Sequence, residues 1–311
     1  MIRYLSHNEI DKAQWDNTIA QCGNIYAFSW YLDIVHPDWS ALVEDDYVAV
    51  MPLTGGRKFG IDYLFQPFFV QQLGVFSKQD LTKEKAMCFL ENIPKKYRFA
   101  EIRLNEKNSD FDDMQGVEYH RNVILDLNQE YNVIRGAYHT NTKRNLAKAE
   151  NHHLEMVNEV NPEQVISLFR NDRGADLTKW DDREYAVLQK VTNEALYRGN
   201  AFVLGVKEIG NDSLLSAAIF MKTDKRITFL FSGNSIQGKE KQAMTFMLDR
   251  VIRNNAGQDK VFDFEGSDND QLARFYLGFG GNEVKYPSYS FNRLSAFGRL
   301  VLKCWKKSRM K

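Results

Sequence analysis

The chain has 311 residues, with 41 basic and 41 acidic side chains, so its formal net charge is zero. That balance excludes a global basic field able to hold nucleic acid by counterion release, and it excludes a disordered acidic chain. Hydrophobic residues make up 43% and aromatic residues 13%, which suits a large core with aromatic-lined clefts. The length fits one large domain or two ordinary ones. Cys22, Cys88 and Cys304 lie far apart, with no metal-ligand spacing, which points to a reduced compartment and no metal site. The first residues carry charges where a secretion signal needs an apolar stretch. The longest apolar run, near Leu214 to Met221, is far short of the ~20 residues that span a bilayer. The expected location is cytoplasmic.

In chain order, the first 127 residues read as mixed α/β. Trp30 to Val35 reads as a short helix or turn before Pro37. Tyr47 to Leu53 is strand-like, and Gly55-Gly56 supplies a turn. Ile61–Phe65 and Gln72–Phe76 are strand-like. Thr82 to Ile93 has Ala86, Phe89, Leu90 and Ile93 on one helical face, and Pro94 helps to end it. Phe99–Leu104 and Val123–Leu127 read as strands. The polar stretch Asn128 to Tyr131 is the expected domain boundary.

Beyond it, Tyr138 to Glu150 is rich in helix formers, and Leu154 to Val160 reads as a strand. Asn161-Pro162 starts a helix, with Asn as cap and Pro at the first position. Tyr185 to Tyr197 is another helix, followed by strands Ala201–Val206, Leu214–Met221 and Ile227–Phe231. Ala243, Met244, Met247, Leu248, Val251 and Ile252 form one buried helical face across 240–254. Strand Val261–Phe264 opens into the loop Glu265 to Asp268. A helix through Leu272, Phe275, Tyr276 and Phe279 follows, Gly280-Gly281 stops it, and Val284 to Phe291 is the last strand.

Residues able to carry chemistry fall into a few groups. Lys143, Arg144 and Lys148 cluster on one helix, as an anion grip or as a solvated face. Glu265 sits where a strand ends. There a carboxylate raised by burial could take a proton from an amine; the competing role is loop capping, with Asp268 or Asn269 as helix N-cap, and for Asp268 the cap is the reading. Gln66, Gln71 and Gln72 lie amid aromatics, as a polar cleft or as core. His152-His153 cannot chelate one ion together from a strand. From Arg293 to Lys311 there are seven basic residues and no acid. Leu294, Phe297, Leu300, Val301, Cys304 and Trp305 interleave them at helical spacing. This basic amphipathic tail could meet an anionic membrane, meet RNA phosphate, or dock on its own domain.

The order strand, helix, strand, helix, strand after Ile227 resembles the C-terminal half of a GNAT acyltransferase domain. Asn269 to Gly280 resembles the GNAT pattern of Asn, Tyr and Gly, although Leu272 stands where Ala is usual and Gly281 where Phe is usual. Lys143 to Glu150 and Phe262 to Ser267 resemble the FemABX group within that superfamily, and Phe28 to Tyr31 resembles its early aromatic segment. The resemblance covers residues 25–292. It implies two tandem GNAT-like domains with mixed α/β sheets, at 1–127 and 128–292, followed by the tail at 293–311.

The resemblance also implies a reaction. An acyl or aminoacyl group would pass to an amine of a cell-envelope precursor or related metabolite, with acyl-CoA or aminoacyl-tRNA as co-substrate and no tightly bound cofactor. Tyr276 and Glu265 would move protons. Trp30, Tyr31, Gln66, Lys143, Arg144 and Lys148 would hold the anionic precursor. Gly238, Lys239 and Lys241 would hold the donor's phosphates. The segment Gln237 to Ala243 has one glycine rather than two, and Glu240 adds negative charge. That departure points to the FemABX side, or to a ligand-binding module on a degenerate GNAT fold. The partners expected are a small anionic substrate, tRNA, and a membrane surface met by residues 293–311.

Overall fold

The computed structural model describes residues 1–108, 111–174, 180–266, 268–294 and 298. The chain forms two units. Unit 1 comprises Met1–Cys22, Tyr26–His120 and the residues from Lys285 onward, and unit 2 comprises Gly23–Ile25 and Arg121–Val284. The expected helix in the tail lies outside the described residues.

Unit 1 holds α1 (Lys12–Cys22), α2 (Ser29–Val35) and α3 (Lys83–Glu91). Its first sheet orders β1 (Ile2–Leu5), β2 (Ser40–Glu44), β3 (Ala49–Leu53) and β6 (Phe76–Ser77), all antiparallel. A second run orders β4 (Gly55–Lys58), β5 (Ile61–Phe65), β7 (Tyr97–Arg103) and the part of β14 (Asn282–Asn292) that belongs to this unit. Leu42, Met51, Leu64, Phe89, Leu90 and Ala100 build one core. Trp15 packs on Trp39 at 4.7 Å and donates its indole N–H to the Ala27 carbonyl, so the buried ring leaves no polar atom unsatisfied.

Two expectations fail here. Gly55-Gly56 is not a turn but the start of β4. A Cβ on Gly55 would stand 2.7 Å from the Tyr97 ring, and one on Gly56 2.9 Å from Tyr63, so these glycines make room for aromatic neighbours. The turn is Phe59-Gly60. Within Gln72 to Phe76 only Phe76 is in a strand, while Leu73 makes an isolated bridge to Leu104.

Unit 2 begins inside β8 (Val117–Asp126) and continues through α4 (Tyr131–Gly136), α5 (Thr140–Glu150), β9 (Leu154–Val157), α6 (Pro162–Phe169), α7 (Asp182–Tyr197), β10 (Ala201–Glu208), β11 (Ser216–Lys222), β12 (Arg226–Asn234), α8 (Ile236–Glu240), α9 (Ala243–Asn255), β13 (Val261–Asp263) and α10 (Asp270–Leu277). The sheet order is β8-β13-β12-β11-β10-β9. Asn161 caps α6 by accepting the Gln164 N–H, and Asp181 caps α7 in the same manner. The face of α9 carrying Met247, Leu248, Val251 and Ile252 joins Leu146, Phe220, Phe229, Phe262 and Phe264 in one core. Asp249 also lies fully buried on α9. It accepts the hydroxyls of Tyr131 at 2.7 Å and Tyr138 at 3.2 Å, and burial raises both tyrosines' pKa values, Tyr131 to about 12.

Candidate functional site

Within this sheet, β12 and β13 are the parallel pair, and their pairing is short. It covers Arg226–Val261, Ile227–Phe262 and Thr228–Asp263. β12 runs on to Asn234, so Phe229 to Asn234 have no strand partner on that side among the described residues. The register with β11 slips at Leu230, with Phe229 opposite Phe220 but Phe231 opposite Ile219. Such a bulge re-aims side chains. Phe229 joins the α9 core, while Phe231 packs on Phe169 and Trp180. Strand edges that part in this way expose backbone donors and acceptors.

The loop after β13 is held by a buried polar network. Asp263 accepts the Asn122 amide at 3.0 Å, the Arg226 guanidinium at 2.5 Å and the Glu265 backbone N–H at 2.9 Å. The Asn122 side-chain oxygen Oδ1 accepts the N–H groups of Val123 and Gly266. A Cβ on Gly266 would lie 2.5 Å from backbone atoms of Asn122 and Val123, so only glycine fits. These contacts fix Glu265 at φ 51°, a left-handed conformation that costs energy for a side chain of this size. Burial pushes the Glu265 carboxyl up to about 8, because the site disfavours its charged form.

Tyr276 lies next to this loop through Phe264. The two rings stack at 5.2 Å and 22°, and Phe229 meets Tyr276 edge-on at 6.2 Å. Glu265 is the chain neighbour of Phe264. Asn269, not Asp268, caps α10, accepting the N–H groups of Gln271 and Leu272. Asp268 instead accepts the Arg121 backbone N–H at 3.1 Å.

The basic helix α5 abuts the same element. His139 donates its N–H to the Gly278 carbonyl at 2.9 Å, and Gly278 lies against Thr142, where a Cβ would collide. Lys143, Arg144 and Lys148 all face solvent. Lys143 bonds the Gly136 carbonyl and Arg144 the Asn141 amide oxygen, each at 2.6 Å. Among the described residues none of the three is paired with a carboxylate.

The segment expected to hold donor phosphates is built otherwise. Gly238 lies inside the short helix α8 rather than in a loop. Its N–H already donates to Ser235 Oγ at 2.9 Å, and its bare Cα rests on the Leu215 carbonyl. Lys239 pairs with Asp172 at 2.5 Å and Lys241 with Glu208 at 2.6 Å. The helix that follows starts after Gln242 at φ 59°.

In unit 1, Trp30 and Tyr31 are buried, and Gln66 is a clamp. The Tyr31 hydroxyl donates to the Phe69 carbonyl at 2.5 Å, and burial raises its pKa. Gln66 spans the Val70 carbonyl and the Arg103 N–H. The Tyr31 hydroxyl and the Gln66 side chain are thus engaged in holding the loop 66–72 and its contact with β7. Nothing in the sequence marks Asn122, because a lone Asn within a strand carries no signal of its own. Among the described residues no cluster of His, Cys, Asp and Glu is placed to hold a metal ion, and no helix is long and apolar enough to cross a membrane.

No family model matches the chain, and no curated protein matches it significantly. Solved structures do. FemX superposes with a TM-score of 0.67 at 11% identity, over 94% of this chain and 98% of that one. The chain has a FemABX/GNAT-like fold. A tandem GNAT protein from the clavulanic acid biosynthesis pathway matches with a TM-score of 0.54 at 10% identity, over 95% of this chain and 100% of that one. The C-terminal domain of a putative lysylphosphatidylglycerol synthetase from Agrobacterium fabrum matches at 0.53 and 12%, over 94% and 95%. The architecture is therefore mixed α/β, with the fold of tandem GNAT-like domains.

Proposed function

We propose that this chain is an N-acyltransferase or aminoacyltransferase of FemABX type, acting on an amine of an anionic cell-envelope precursor or related metabolite. The observation that carries the reading is Glu265. It is held in a strained conformation just past the parting of β12 and β13, with its carboxyl pKa near 8, and Tyr276 stacks on the neighbouring Phe264. The acceptor amine attacks the carbonyl carbon of the donor ester or thioester, so that a C–N bond forms and a C–O or C–S bond breaks. Glu265 takes the proton from nitrogen. The Tyr276 hydroxyl gives one to the departing oxygen or sulfur. Lys143, Arg144 and Lys148 hold phosphate groups.

The state of α8 supports aminoacyl-tRNA over acyl-CoA as donor, since its amide and lysines are already engaged within the protein. The test is transfer by the purified chain from aminoacyl-tRNA and from acyl-CoA to phosphorylated amine acceptors. With Glu265 as base, kcat/KM rises with pH through about 8. The Glu265→Gln variant loses that limb, and a limb that survives would remove Glu265 from the role.

The same engaged groups favour one second reading, a binding module without a donor site. A thermal shift with nucleotide-linked precursors, but none with acyl-CoA or aminoacyl-tRNA, would select it.

A further inference from the structure

The hairpin joining β4 to β5 turns in two residues, because Lys58 pairs with Ile61. Phe59 has φ 51° and Gly60 has φ 75°. Two positive φ values suit a tight hairpin whose twist matches its strands, and the residues that adopt them at little cost are Asn, Asp and Gly. A Phe there is an outlier. The residue is also 74% exposed. Backbone strain and apolar exposure therefore fall on one residue at the tip, and both oppose folding. An outlier of this kind points to function rather than to stability.

The sheet register gathers cations around that tip. β5 runs parallel to β7 with Asp62 opposite Tyr97, so the Lys95-Lys96 turn entering β7 lies at the tip's end of the sheet. β14 runs antiparallel to β7 with Asn292 opposite Phe99, and the Arg293 N–H donates to the Arg98 carbonyl at 2.7 Å. Arg57, Lys95, Lys96 and Arg98 are exposed, and the Lys58 ammonium lies 5.5 Å from the Phe59 ring centroid. Asp62 partly offsets this charge, 3.7 Å from Arg57. β14 ends at Asn292, so Arg293 and Leu294 lie at this same end.

We propose that this end of unit 1 docks on an anionic lipid bilayer. The Phe59 ring enters the headgroup boundary, and Arg57, Lys58 and Lys95 face the lipid phosphates. Lys96, which donates to the Tyr4 hydroxyl, and Arg98, which donates to the Arg293 carbonyl, add positive charge beside them. A bilayer fits better than RNA for two reasons. The aromatic stands on a projecting tip, with open space beside Gly60, rather than in a groove. The basic sequence from residue 293 is also interleaved with Leu294, Phe297, Leu300 and Trp305, a membrane-surface composition. The inference goes beyond the transferase reading and does not depend on it.

The test is sedimentation of the full chain with vesicles of phosphatidylcholine alone and of phosphatidylcholine mixed with phosphatidylglycerol. Binding is expected to the mixed vesicles only, and to weaken as salt is raised. Phe59→Asn should lower vesicle partitioning about tenfold while raising Tm, since Asn suits the turn. The double variant R57E/K58E should lower partitioning by about tenfold or more. In Phe59→Trp, tryptophan emission should shift to the blue on mixed vesicles. Absence of vesicle binding, or binding unchanged in Phe59→Asn and R57E/K58E, overturns the proposal. So does a loss of tRNA binding in R57E/K58E with vesicle binding intact.

Discussion

Two segments of unit 2 follow neighbouring strands and carry glycine beside charge, yet they are built to opposite ends. After β12, residues 236–242 form a closed structure in which Ser235 takes the Gly238 amide and Asp172 and Glu208 take the two lysines. After β13, a comparable investment of hydrogen bonds from Asn122 and Asp263 holds Glu265 in a costly conformation with a carboxyl shifted to about 8. In the first segment the polar groups satisfy one another. In the second they hold a residue in a left-handed conformation with a raised carboxyl pKa, and that difference separates scaffold from candidate chemistry.

The largest expected effect lies in the second segment. Glu265→Gln should lower kcat by about 100- to 10,000-fold with KM little changed, in the assay that first identifies a substrate. The same variant has a stability signature. The folded pKa is raised, so Glu265 favours the fold most below its unfolded value near 4.5 and loses that contribution as pH climbs through about 8. Denaturant melts should show Glu265→Gln gaining on the native chain across that window, and equal pH profiles would break the comparison. Tyr276→Phe should lower kcat by about 100-fold with a smaller change in binding. Full turnover in that variant would reduce Tyr276 to a packing ring against Phe264.

Smaller effects belong to the first segment. Gly238→Ala should cost about 1–3 kcal/mol by pressing a methyl onto the Leu215 carbonyl, read as a lower denaturation midpoint. Donor affinity in the folded fraction should stay unchanged. Lys239→Ala removes an ion pair whose lysine is 46% exposed, so the cost should be about 1 kcal/mol or less. A large loss of donor affinity in Lys239→Ala would turn the comparison around and make α8 a binding element.

Much of the architecture was legible because periodicity reports burial directly. The face of α9 through Met247 and Val251 and the capped start of α6 needed only local rules. Glycines misled where their purpose was long-range. Gly55, Gly56 and Gly238 read as turn or phosphate-loop residues, but each admits a neighbour that arrives from elsewhere in the chain. The site was half legible. Glu265 and Tyr276 stood out by position and type, whereas the Asn122–Asp263 network that strains Glu265 joins residues 141 apart in sequence. No local pattern encodes such a pairing, nor the point where β12 and β13 part.

The return of β14 to unit 1 bears on how the chain leaves the ribosome. β7 finds its antiparallel partner only in Ser288 to Asn292, synthesised after all of unit 2. A nascent chain that has just completed unit 2 therefore still presents one side of β7 unpaired, an edge open to wrong pairing. The first unit to be made is the last to be closed, and the interval between the two is when chaperones have most to guard.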